Sequence, residues 1–190
     1  ATVTVAGIET LNLATAGTNA QTLANLIAAN ATTLNVSGSS ALTFTSAAGL
    51  AAVATVDASK LTGALTLNLD TAAAVSVTGG SAADALTMDR VFSDSVAGGE
   101  GNDTITFTGA GTLDVADTIA GGDGTDTLVA NITDLGNMTA VTAGLRTGFE
   151  RISVSDALAG GTLTTANVQA GIDRVTLAAG GTGTLVMDAG

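Results

Sequence analysis

The sequence has no proline, cysteine, tryptophan, tyrosine or histidine, and only four phenylalanines. Without cysteine the fold cannot lean on disulfides, and no thiolate is available as nucleophile or metal ligand. Without histidine the side chain best suited to general base work near neutral pH is missing. The shortage of aromatics excludes a wide core and leaves thin, repeated layers of Leu, Val and Ile. Basic residues are scarce too: seventeen acids face five bases, for a formal net charge of −12 over 190 residues. Such a surface argues against nucleic acid and anionic lipid as partners, because both are polyanions, and it calls for a cation. No apolar run approaches the ~20 residues that span a bilayer, so membrane insertion is not expected. No N-terminal signal peptide is visible. The chain starts at Ala1 rather than Met, and we read it as a piece of a longer protein.

What is present is aspartate, glycine and a repeat. Fourteen of the acids are Asp and three are Glu. Asp favours turns and oxygen-rich cation sites, whereas Glu favours helices. Two nonapeptides stand out: GGEGNDTIT from Gly98 to Thr106 and GGDGTDTLV from Gly121 to Val129. Both fit G-G-x-G-x-D-x-U-x, with U a large aliphatic, the calcium-binding pattern of parallel β-helices. A looser copy, GGSAADALT, runs from Gly79 to Thr87 with Ala82 in place of the third Gly. Two weak frames, DRVFSDSVA from Asp89 and TLDVADTIA from Thr112, keep only the acid and the aliphatic. The five frames share one phase. Their sixth positions are Asp84, Asp94, Asp103, Asp117 and Asp126, and their eighth are Leu86, Val96, Ile105, Ile119 and Leu128. Met88 and the segment 107–111 fall between copies.

The spacing predicts the geometry. Each nonapeptide is a half-turn, a loop followed by a short strand whose U side chain points inward. Two half-turns make a coil, so the loops at 79, 98 and 121 stack along one edge. The glycine-poor loops at 89 and 112 stack along the other. Glycine permits backbone angles that a Cβ would hinder and lets carbonyls converge on an ion. Calcium takes about 6 to 8 oxygens, more than one loop offers, so an ion would sit between neighbouring loops. The candidate ligands are Gly79, Gly80 and Asp84; Gly98, Gly99, Glu100, Gly101 and Asp103; and Gly121, Gly122, Asp123, Gly124 and Asp126. Asp94 and Asp117 are weaker candidates, for which a metal-free turn is the better reading. One ion is expected between the loops at 79 and 98, and one between those at 98 and 121.

The remainder reads as strands. TTLNVS, ALTFTS, VATVDAS, ALTLNLD and AVSVTG between Thr32 and Gly79 carry apolar anchors at intervals of roughly 8 to 12 residues, with glycine between. Residues 1–13 give two further strands. Residues 19–29 are predicted as a short helix covering one end, because Leu23, Leu26 and Ile27 fall at i, i+3 and i+4. GIETLNL, GFERISV and GIDRVTL share a turn-then-strand form, and their acids Glu9, Glu150 and Asp173, which could each supply an extra cation ligand, are better read as satisfying local backbone N–H groups or facing water. Residues 131–147 form an excursion or a short helical turn, and residues 162–170 a loop or short helix. Arg146, Arg151 and Arg174 are expected to pair with nearby carboxylates. The fold class is therefore all-β: a right-handed parallel β-helix or β-roll, one solenoid over 1–190 with a calcium segment at 79–129.

NATTLNVSG (Asn30 to Gly38), GGDGTDTLVAN (Gly121 to Asn131) and GFERISVS (Gly148 to Ser155), in that order, resemble the Caulobacter-type RTX surface-layer (S-layer) proteins of α-proteobacteria. The resemblance implies export by a type I secretion system, folding outside the cell and calcium bound along the solenoid. It also implies self-association into a calcium-dependent lattice on the cell surface, or contact with neighbouring domains of the same protein. Carried onto this chain, the calcium loops are those at 98 and 121, with the 79 loop departing from the pattern at Ala82. No catalytic constellation is visible, so an enzyme is not expected. Two other readings remain: the stalk or binding module of a large RTX adhesin, and the calcium roll of a secreted enzyme.

Overall fold

The computed structural model describes residues 2–44, 49–89, 91–139, 142–158, 160, 162–179 and 181–187. The chain winds into a parallel β-solenoid of about eight turns. One face is a seven-stranded sheet: Thr10–Thr15, Thr33–Gly38, Thr55–Leu61, Ser76–Thr78, Ser95–Glu100, Thr118–Asp123 and Arg146–Thr147. The other is an eight-stranded sheet: Gln21–Leu23, Leu42–Phe44, Leu65–Leu69, Ala85–Met88, Thr104–Phe107, Thr127–Ala130, Arg151–Ala157 and Arg174–Ala179. Successive turns of the chain supply successive rungs, and every pairing between these strands is parallel. Strand residues alternate between the two sides of each sheet, so one side-chain row per rung faces inward.

The inward rows form aliphatic columns. In the first sheet Leu11, Leu34, Val56, Val77, Val96 and Ile119 lie in register. In the second, Leu67, Leu86, Ile105, Leu128, Ile152 and Val175 do so. The five repeat aliphatics are thus all core residues, divided between the sheets as a half-turn per frame requires. Met88 and Phe107, outside the repeat frames, are register partners and buried. They belong to the core rather than to insertions. The real excursion is the turn that follows, and it is held from the next coil. Asp134, buried on the helix Ile132–Asn137, accepts from Gly111 N at 2.7 Å and Leu113 N at 3.2 Å. Asn131 caps that helix by accepting from Asp134 N at 2.9 Å and donates to Gly109 O. Asn131→Ala removes the cap and this tether; an equilibrium urea titration should show a loss of about 1 kcal/mol.

The expected helix at 19–29 is not formed. Gln21–Leu23 and Asn25–Ile27 are strands, the first paired with Leu42–Phe44 and the second with Thr2–Thr4. Leu26 is fully buried. The helical spacing of Leu23, Leu26 and Ile27 is equally served by two short strands with a bend between them, and parallel neighbours decide for the strands. Elsewhere the expected strands are present, with 45–46 of ALTFTS outside the described residues. Residues 131–147 hold the helix Ile132–Asn137 and a 3-10 turn at Ala143–Leu145; residues 162–170 hold the strand Thr162–Thr164 and the helix Thr165–Val168. Among the described residues no helix is long and apolar enough to cross a membrane.

Candidate metal edge

The loops at 79, 98 and 121 do stack along one edge. Gly99 and Gly122, and Glu100 and Asp123, are register partners across adjacent rungs. The edge continues one rung further, to Gly148, which packs on Gly122. The stacking is tight enough to require glycine. A Cβ at Gly122, where φ is +117°, would overlap the Gly99 carbonyl. A Cβ at Gly124, where φ is +140°, would overlap that of Gly101.

A ladder of carboxylates runs up this edge. One oxygen of each acid accepts from a backbone N–H on the preceding rung. Asp84 Oδ1 accepts from Leu65 N at 2.7 Å, Asp103 Oδ1 from Asp84 N at 2.8 Å, and Asp126 Oδ1 from Asp103 N at 2.7 Å. Glu150 Oε2 continues the series from Asp126 N at 2.8 Å. Glu150 therefore satisfies a backbone N–H, as its sequence position suggested, but across rungs and in the role of a ladder Asp. Asn102 ties the 98 and 121 loops together by accepting from Thr125 N at 2.8 Å. Neither its role nor that of Asp134 was foreseen, because position five of the repeat and a helix-borne acid carry no distinctive signal.

The second carboxylate oxygen separates the loops. In the 79 loop, Asp84 Oδ2 accepts from Gly80 N at 2.6 Å, so this carboxylate is closed on its own turn. Gly80 lies outside the left-handed region, which leaves its N–H free to point inward. In the 98 and 121 loops the corresponding glycines, Gly99 and Gly122, have φ of +113° and +117°. Asp103 Oδ2 and Asp126 Oδ2 are buried and have no hydrogen-bond partner. The residues are 1% and 0% exposed. A buried carboxylate oxygen without a donor is costly in its charged form. Burial pushes the Asp103 carboxyl up to about 6, opposed by the hydrogen bond from Asp84 and reinforced by the Asp84 and Asp126 charges. Asp126 is raised for the same first reason, with Glu150 and Asp123 adding repulsion.

The surroundings of these oxygens suit a hard cation. A Cβ at Gly98 would collide with both Asp103 Oδ2 and the Gly121 carbonyl oxygen. Glycine keeps open a small space on which a carboxylate and a main-chain carbonyl both face. Among the described residues no three acidic side chains are grouped to hold a metal, so the remaining ligands would be backbone carbonyls. Glu100 and Asp123 stay at the exposed loop tips, beside Gly101, Asn102 and Gly124, and do not join the buried carboxylates. The main chain of Asp123 accepts from Gly101 N at 2.8 Å.

The opposite edge carries the same cross-rung carboxylate bonds without the glycine-rich loops. Asp94 Oδ1 accepts from Val75 N, and Asp117 Oδ1 from Asp94 N at 2.7 Å. Asp117 Oδ2 accepts from Asp114 N at 2.7 Å, so both its oxygens are used. These two acids serve the backbone. Arg146, fully buried, extends the aliphatic column above Ile119 and donates from Nη2 to Asp114 O at 2.7 Å and from Nη1 to Thr142 O. Its hydrogen bonds thus go to carbonyls, not to the carboxylates expected to pair with it. Arg151 and Arg174 are register partners on the other sheet, away from it.

Burial pushes the Asp117 carboxyl up to about 6 from the ordinary 3.8, against its hydrogen bonds from Asp114 and Asp94 and with their charges adding to the rise. A raised acid stabilises the fold only when protonated, and this contribution is lost as pH rises through its folded pKa. With chelator present, moving from about pH 7.5 to about pH 5 should therefore stabilise the chain by about 1 kcal/mol through Asp117. Urea midpoints at the two pH values, compared between the parent chain and Asp117→Asn, isolate that contribution. An unchanged pH dependence in the variant would refute the assignment.

Together these features define a parallel β-solenoid with one glycine-lined, carboxylate-laddered edge. Comparison with protein-family models, with curated proteins and with solved structures finds no match to this chain.

Proposed function

We propose that the chain is a structural, calcium-binding segment of a secreted bacterial surface-layer protein, with no catalytic role of its own. The observation that carries the calcium reading is the pair of buried, unpartnered oxygens, Asp103 Oδ2 and Asp126 Oδ2, in the two loops with complete glycine patterns. A divalent cation offers such an oxygen what no N–H among the described residues does. Calcium is the fitting choice, since its coordination is flexible and carbonyl-rich, whereas magnesium demands compact octahedral geometry. Extracellular calcium modules bind at roughly 10⁻⁴ to 10⁻³ M, a range that suits a protein that folds after export. The surface-array part rests on the resemblance of the three sequence segments and on a shape of stacked coils, which offers long regular faces to neighbours. Negative-stain electron microscopy of the purified chain, with calcium and then with chelator, tests that part. Ordered sheets that dissolve in chelator support it. Monodisperse rods in both conditions would remove the array from the reading and favour an adhesin stalk.

A further inference from the structure

The edge does not end at the last glycine-rich nonapeptide. The segment Gly148–Glu150 lacks the GGxGxD pattern, yet it occupies the next rung and reproduces the same contacts. A Cβ at Gly121 would collide with the Gly148 carbonyl oxygen and with Asp126 Oδ2, just as one at Gly98 would collide with the Gly121 carbonyl and Asp103 Oδ2. Gly148 has a φ of +70°. Glu150 takes the ladder position, accepting from Asp126 N. Asp126 Oδ2 is buried, has no donor, and faces this space rather than the one below, where Asp126 Oδ1 already serves Asp103 N. By contrast, the equivalent space between the 79 and 98 loops faces Asp84 Oδ2, which already accepts from the Gly80 N–H.

We propose that the chain has a second calcium site between the 121 loop and the Gly148–Glu150 rung. Its ligands include Asp126 Oδ2 and the Gly148 carbonyl, and Glu150 supplies a further negative charge beside it. The pair of sites is thus shifted one rung toward the C-terminus from the positions that the glycine pattern alone marks. The 79/98 space holds no ion. This inference rests on the calcium reading above, and it adds which spaces are filled and which residue outside the repeat completes the second.

Calcium stoichiometry tests it, measured by isothermal titration calorimetry and by equilibrium dialysis with calcium alone. The parent chain should bind two ions. Asp126→Asn keeps the Oδ1 acceptor for Asp103 N and replaces the free oxygen with an amide, so it should bind one ion. Asp103→Asn should also bind one, and the double variant none. Asp84→Asn should leave two. Glu150→Gln keeps an acceptor for Asp126 N but removes the charge, and should weaken one of the two sites by about tenfold while sparing the other. Circular dichroism in calcium identifies variants that have lost the fold. If one fails, the Glu150→Gln titration still decides, because two unweakened sites there would overturn the proposal. One ion in the parent, abolished by Asp103→Asn and unaffected by Asp126→Asn, would overturn the second site and leave the calcium reading standing. No calcium bound to the folded parent would overturn both. Two ions with one lost in Asp84→Asn would place the second at the 79/98 space and reject the shift.

Discussion

In excess chelator the chain will melt well below its melting temperature in millimolar calcium. The free carboxylate oxygens of Asp103 and Asp126 are the cause: in the metal-free chain they are buried charges without donors, stacked one rung apart. The loops that present them also carry four glycines at positive φ, Gly99, Gly101, Gly122 and Gly124, whose ordering is entropically expensive. A ligand that binds only the folded state stabilises it by RT ln(1 + [L]/Kd), about 1.4 kcal/mol when calcium is about ten times Kd, as about 1 mM calcium is for a Kd of about 10⁻⁴ M. Two such sites give about 3 kcal/mol, or roughly 6 to 12 °C for a domain of this size. Differential scanning calorimetry with calcium, magnesium and chelator measures the shift. Magnesium should produce little of it. Superimposable transitions in calcium and chelator would sink the calcium reading, whatever the array does. If the metal-free chain is already unfolded at low temperature, circular dichroism will show strand content appearing on calcium addition, which is the same effect at its extreme.

The second large effect is expected at Arg146. Its guanidinium stands where the register calls for an aliphatic, on top of Ile119, and is fully buried. Burial lowers its pKa, and the Asp117 and Asp114 carboxylates act in the opposite direction. Arg146→Ala should cost about 3 kcal/mol or more, from the cavity and from the Asp114 and Thr142 carbonyls left without their donor. Arg146→Met fills the column with an apolar chain of similar length and should recover most of the packing loss. The two variants together separate packing from charge. Equal, large losses in Ala and Met, by urea denaturation in calcium, would mean that the hydrogen bonds dominate. A small loss in both would mean that the column tolerates a gap at this rung.

The phase of the repeat was legible because each aliphatic at position eight must face a core one residue deep. Leu86, Val96, Ile105, Ile119 and Leu128 could hardly do otherwise once the strands were parallel. The glycine-rich loops were legible for a steric reason: side chains at positions such as Gly122 and Gly124 would strike the carbonyls of the rung below. The segment 19–29 was misread because three apolar residues spaced for a helix are compatible with two bent strands, and the choice belongs to Leu42–Phe44 and Thr2–Thr4, far along the chain or before it. Glu150 was legible as a turn acid or an extra cation ligand, but not as a rung of the ladder. Its sequence neighbours, Phe149 and Arg151, do not match the nonapeptide, and its ladder role depends on Asp126, 24 residues earlier.

The amino-acid sequence by itself determined the solenoid, the phase of its coils and the edge on which aspartates and glycines collect. These follow from local rules of period, turn and side-chain volume. Only the tertiary structure decided which carboxylate oxygens remain without a donor. Asp84, Asp103 and Asp126 occupy the same position in their repeats, yet the Gly80 N–H closes the first, while Gly99 and Gly122, turned to positive φ, leave the others open. The physical reason is that hydrogen-bond satisfaction on this edge is settled between rungs, by partners 19 to 24 residues apart, and by the backbone angle of one glycine within each loop.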